Sequence, residues 1–127
     1  MPRKYDSRCP VARTLNVIGD RWAILILRDF FLQGPRRFQD FEASLKGITP
    51  AVLSQRLKEL EGHGVIDSRL YAEHPPRRVY DLTEKGRELR PVLLAMKLWG
   101  ERYTSARSVK HGELDVSGMR NGKLGSR

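Results

Sequence analysis

The stretch TPAVLSQRLK, residues 49–58, carries side chains suited to reading another molecule's hydrogen-bonding groups. On a helix of 3.6 residues per turn, the face away from Leu53, Leu57 and Leu60 has Ala51 and Gln55 at its centre. A glutamine amide sets a donor beside an acceptor, which matches the edge of an adenine, and alanine leaves room for a thymine methyl. Thr49, Ser54, Arg56 and Lys58 flank these two. Groups of that kind suit phosphate oxygens, which fix register without selecting a sequence. Arg36 and Arg37 upstream and Arg77 and Arg78 downstream add four more cations for a phosphate backbone, and one of the latter pair would suit a minor groove. The plain alternative is a solvated helix face, above all for Lys58.

A second possible chemistry rests on Cys9, the single cysteine. Pro10 marks a first helical position, so the thiol sits at or beside an N-cap, where the helix dipole favours a thiolate. Arg8 and Arg13 add positive charge. A lone cysteine serves equally well as a small packed hydrophobe. One cysteine excludes an intrachain disulfide and fits a reducing compartment. His63, His74 and His111 are scattered, with neither zinc-ligand spacing nor a nucleophile–base arrangement, and no glycine-rich loop follows a strand. Neither enzymatic activity nor a metal or cofactor is expected.

The elements that must position these groups follow from capping and periodicity. A first helix starts near Cys9–Pro10, with Val11, Leu15 and Ile18 on one face and Gly19 as its stop. Asp20 caps a second, RWAILILRDFFLQ, which is apolar almost all round and belongs in a core. Gly34–Pro35 ends it. A third helix carries Phe38, Phe41 and Leu45 at helical spacing, without a convincing N-cap. The fourth is the helix of Gln55, capped by Thr49, with Pro50 at its first position. VIDSRLY and RRVYDL then read as two strands separated by the turn AEHPP. Thr83 caps a last helix with the apolar stripe Leu89, Val92, Leu93, Met96, Trp99 and Tyr103, which Pro91 should kink. Trp22, Trp99, Phe38 and Phe41 read as core packing. From residue 105 the chain is rich in Gly, Ser, Lys and Arg and is expected to be a flexible basic tail, dispensable for folding.

Four helices, a basic hairpin and a closing helix describe a mainly α winged helix-turn-helix domain over residues 1–104. At 127 residues the chain suffices for one such core. Lys plus Arg number 24 against 15 Asp plus Glu, and the resulting charge of +9 favours an anionic partner, nucleic acid before membrane. The most apolar run, WAILIL, is too short to span a bilayer, and polar residues follow Arg3 and Lys4 where a secretory signal would be apolar. The chain reads as cytoplasmic.

The segments CPVARTLNVIGDRWAILILRDF, GPRRFQDFEASLKGITPAVLSQRLKELEGHGVI, HPPRRVYDLTEKG and LWG resemble, in order and spacing, the signatures of HxlR-type transcriptional regulators. The likeness runs from about Cys9 to Tyr103, with Phe41 and Thr49 where Leu and Ser are more usual. It implies a homodimeric repressor on a pseudo-palindromic operator of double-stranded DNA. It also implies a dimer interface built by the first and last helices, through Val11, Leu15, Leu93, Met96, Trp99 and Tyr103. Some relatives with a cysteine before this proline sense oxidants or electrophiles, which admits Cys9 as a redox-sensing group and a small oxidant or electrophile as effector. A winged helix used for protein contacts, without specific DNA readout, is the rival reading. An RNA-binding module fits less well, because the aromatic residues are spaced for burial and not for stacking on bases.

Overall fold

The computed structural model describes residues 8–105. Helix α1 (Pro10–Ile18) follows Cys9 as its N-cap residue. Helix α2 (Arg21–Gln33) is capped by Asp20, whose carboxylate accepts from the backbone N–H groups of Trp22 at 2.9 Å and Ala23 at 3.2 Å. A two-residue strand β1 (Arg36–Arg37) leads into α3 (Phe38–Ser44), and α4 (Pro50–Gly62) follows. Strands β2 (Ile66–Glu73) and β3 (Pro76–Leu82) form an antiparallel hairpin, with β1 on the far side of β3. The short α5 (Glu84–Arg87) and the longer α6 (Arg90–Tyr103) close the fold. The architecture is mainly helical with a small antiparallel sheet, as the periodicity predicts.

Three local expectations are corrected. The wing has three strands, because Arg36 and Arg37 pair with Tyr80 and Val79 of β3. The hairpin strands run into the predicted AEHPP turn and leave only His74 and Pro75 between them. Pro76 is tolerated as the first residue of β3, beyond the reach of β1, where no donor is required. Finally, Pro91 does not kink a continuous helix. The chain breaks before it, and Pro91 falls in the first turn of α6, where its missing N–H costs no intrahelical bond. Thr83 caps α5, accepting from the N–H of Gly86 at 3.1 Å. The tail expected over 105–127 lies, apart from Ser105, outside the described residues.

The core forms where the apolar faces meet. Ile26, Leu27 and Phe30 of α2, Phe41 of α3, Leu53, Leu57 and Leu60 of α4, and Ile66 and Leu82 of the wing are buried together. Phe30 and Phe41 meet edge to face at 5.2 Å. Burying each such large side chain stabilises the fold by about 1.5–3 kcal/mol, so the three leucines of α4 fix that helix firmly. Gly86 lets α5 approach closely, since a Cβ there would lie 2.1 Å from the Val65 carbonyl oxygen.

One polar cluster is buried too. Arg28 donates to Asp29 at 2.8 Å, and Arg36 reaches the other Asp29 oxygen at 3.4 Å. The Ser44 hydroxyl also donates to Asp29. Asp29 thereby ties α2 to β1 and to the end of α3. Trp99, by contrast, departs from the core role expected of it and is 63% exposed.

Candidate nucleic-acid interface

Helix α4 stands on its leucines and turns its other face outward. Thr49 Oγ1 accepts from the N–H of Val52 at 3.2 Å, and Pro50 occupies the first turn. Leu53, Leu57 and Leu60 are buried, whereas Ala51, Ser54, Gln55 and Lys58 are all exposed. The Gln55 amide donates to Glu59 at 3.3 Å along the helix, an exposed contact that holds the amide on the outer face. This face offers small, hydrogen-bonding and cationic groups with no apolar cover over them.

Two of the expected phosphate contacts are occupied within the chain. Arg56 donates to Asp20 through Nε at 2.8 Å and Nη2 at 3.3 Å, and its side chain is only 22% exposed. It ties α4 to the start of α2, and the phosphate contact expected of it from the sequence would compete with Asp20. Burial alone would raise the Asp20 carboxyl. The bonds from Arg56, Ala23 and Trp22 outweigh it and hold Asp20 below the ordinary aspartate value. The same Asp20 bond chiefly strengthens the positive charge of Arg56. Arg36 points inward to Asp29 and to the Asp40 carbonyl at 3.1 Å, and its side chain is 14% exposed. A phosphate contact by Arg36, as expected from the sequence, would compete with these internal partners.

The remaining cations stay outside. Arg37, Arg77 and Arg78 are exposed. Asp40 supplies the cap that α3 lacked in the sequence reading, by accepting from the Arg37 backbone N–H at 2.9 Å. That bond is the main cause of its lowered carboxyl pKa. Arg78 donates to Ser68 at 2.8 Å, and Ser68 in turn donates to Glu61 of α4 at 2.8 Å, which ties the wing to α4. Tyr71 and Gln39, not singled out by sequence reasoning, line a cleft with Arg37, Arg77 and Arg78. Asp20, read only as a cap, also holds Arg56. A chain separation of 36 residues left no local signal of that pair.

Helices α1 and α6 expose an apolar surface. Val11 is 69% exposed, and Leu15, Val92, Met96, Trp99 and Tyr103 are exposed with it. Leu93, expected on the same surface, is 5% exposed and belongs to the chain's own core. Val11, Leu15, Ile24, Leu25, Val92 and Met96 line a groove of about 650 Å³ there. Cys9, at the start of α1, is exposed and not packed away. Among the described residues, no cluster of His, Cys, Asp and Glu is arranged to hold a metal ion, and no helix is long and apolar enough to cross a membrane.

The sequence matches the HxlR-like helix-turn-helix family over residues 17–108. A helix-turn-helix-type transcriptional regulator of Bacillus subtilis, YdeP, is 44% identical over 95 residues, spanning 75% of this chain and 73% of its own length. Among solved structures, the redox regulator HypR in its reduced form superposes with a TM-score of 0.70 at 37% identity, covering 79% of this chain and 98% of HypR. The reduced form of the transcriptional regulator YodB from B. subtilis gives 0.64 at 32% identity, covering 76% and 95%. The chain belongs to the HxlR-like helix-turn-helix family and is a transcriptional regulator of the helix-turn-helix type.

Proposed function

We propose that the protein binds double-stranded DNA sequence-specifically as a homodimer on a pseudo-palindromic operator and, as the family resemblance implies, represses transcription. The outward face of α4 carries this reading: Ala51, Ser54, Gln55 and Lys58 are exposed on a helix that three buried leucines hold rigid. Gln55 and Ala51 are the base-reading pair, and Thr49, Ser54 and Lys58 meet phosphates. Arg37, Arg77 and Arg78 extend the cationic track onto the wing. A second copy covers the exposed apolar surface of α1 and α6, with Val11, Leu15, Met96, Trp99 and Tyr103 in the interface. Such pairing sets two reading helices roughly 34 Å apart, one turn of DNA.

Binding measured across a salt series tests the first part. Affinity for duplex DNA should fall steeply and linearly on logarithmic axes as counterions are released. A salt-independent interaction would favour the rival, a winged helix used for protein contacts. Sedimentation tests the second part, and a monomer at micromolar concentration would contradict it.

A regulatory reading is favoured by the exposure of Cys9 next to this interface and by the likeness to HypR and YodB. Peroxide would oxidise the Cys9 thiol to a sulfenic acid with release of water. Condensation with its twin or with a small thiol would release a second water and leave a disulfide. Either adduct would disturb α1 and so the spacing of the reading helices. Operator affinity before and after mild peroxide or quinone treatment, in wild type and Cys9→Ser, tests this; unchanged wild-type affinity would contradict it.

A further inference from the structure

One residue of the wing is out of step. Strands β2 and β3 pair residue for residue from Ile66 opposite Leu82 to Leu70 opposite Arg78, but the next pair is Ala72 opposite Arg77. Tyr71 is therefore the extra residue of a β-bulge, a device that re-aims a side chain. On an unbroken strand it would share a face with Asp67 and Arg69. Instead it lines an open cleft of about 390 Å³ together with Arg78 and Tyr80, which lie opposite Leu70 and Ser68 on the other face. Arg37 and Gln39, from the start of α3, also line the cleft, and Arg77 adds a third guanidinium.

The chemistry of this cleft is one-sided. No Asp or Glu lines it, although three guanidinium groups do. Like charges gathered around one opening raise the energy of the free protein, and an entering anion relieves that repulsion. Arg37 keeps contact with Asp40 at 3.4 Å, yet remains exposed. Tyr71 lines the same cleft as Arg37, and Asp40 first and Tyr71 second hold the Arg37 guanidinium in its charged form. A phenol both accepts and donates, so its oxygen can take a guanidinium N–H while its own O–H points to an acceptor. A phosphate oxygen is such an acceptor and carries the matching charge. Helix α3 and strand β2 both pack against α4, which places the cleft beside the reading helix.

We propose that this cleft seats one phosphodiester strand of the bound duplex, and that Tyr71 is the positioning residue that holds Arg37 toward it. The proposal rests on the duplex-DNA reading above and adds to it a residue and a path for the backbone. Because phosphates carry no sequence information, the effect must be equal on every duplex.

The test uses the full chain, a duplex enriched by it from a random pool, and a scrambled duplex. Tyr71→Phe keeps the exposed ring and should weaken binding to both duplexes by the same factor, roughly three- to tenfold. The slope of log affinity against log salt should stay unchanged, since no charge is lost. Arg37→Gln should weaken both and lower that slope by about 0.9. In the Arg37→Gln background, Tyr71→Phe should have a much smaller effect, because the group it positions is gone and only its own hydroxyl contact to the phosphate is left to lose. Wild-type affinity in Tyr71→Phe, or a loss fully additive with Arg37→Gln, would overturn the proposal. Failure of the wild type to bind either duplex would instead overturn the DNA reading itself.

Discussion

The α4–wing side and the α1–α6 side of this molecule are finished to different degrees. On the first, the leucines of α4 are buried and the polar groups are tied together: Asp20 to Arg56, Asp29 to Arg28 and Arg36, and Arg78 through Ser68 to Glu61. On the second, Trp99, Met96 and Val11 stand in the open. A surface that is polar and internally braced is ready for a polar, charged ligand. A surface that is apolar and bare suits a partner with an apolar face, which in the proposed homodimer is a second copy. The contrast also runs through single elements, since α6 buries Leu93 within its own chain and leaves Trp99 outside.

Cutting the bracing on the first side should have the largest effect. Asp29→Ala strands two cations, Arg28 and Arg36, in a buried setting, and should cost about 3–5 kcal/mol of unfolding free energy in denaturant titration. A loss below 1 kcal/mol would show that the cluster does not hold α2 to β1 and α3.

Charging the second side comes next. Trp99→Glu should weaken dimerisation by about 2–4 kcal/mol by sedimentation while the far-ultraviolet circular dichroism stays native, because the ring takes little part in the chain's own core. A fully dimeric variant would place the interface elsewhere.

Gln55→Ala should leave the melting temperature nearly unchanged, yet cost about 1–3 kcal/mol of preference at one position in each half-site. Equal affinity for the cognate duplex and one altered at that position, in both proteins, would confine Gln55 to the surface.

The smallest effect concerns acid. The Asp20 carboxyl is held below its ordinary value. Its contribution is therefore present above the unfolded value of about 3.9 and is lost as pH falls through the lower folded value. Asn retains the capping oxygen but not the charge, so Asp20→Asn should lose less stability than the wild type on acidification below about pH 4. Identical acid limbs would show that Asp20 does not contribute.

Most of this architecture is readable from local rules. Asp20, Thr49 and Thr83 announce three helix starts, and the spacing of Leu53, Leu57 and Leu60 announces which face of α4 is inside. Strand β1 is not legible in the sequence, because two residues carry no period and owe their conformation to Tyr80 and Val79, far along the chain. The inward turn of Arg36 and Arg56 is not legible for the same reason, since their carboxylate partners are not on the neighbouring turn. An arginine reads alike in sequence whether it faces solvent or a carboxylate. Leu93 and Trp99 lie on one stripe, and periodicity cannot say which part the chain covers itself. The bulge at Tyr71 depends on strand register, which only the folded pairing fixes.

Enrichment of duplexes from a random pool by the wild-type protein tests the central claim most directly. A reading helix on each copy of a symmetric dimer predicts a consensus of two inverted half-sites centred about one helical turn, roughly 10 base pairs, apart. A pool that shows no enrichment, or one that converges on a single unsymmetric half-site, would contradict it.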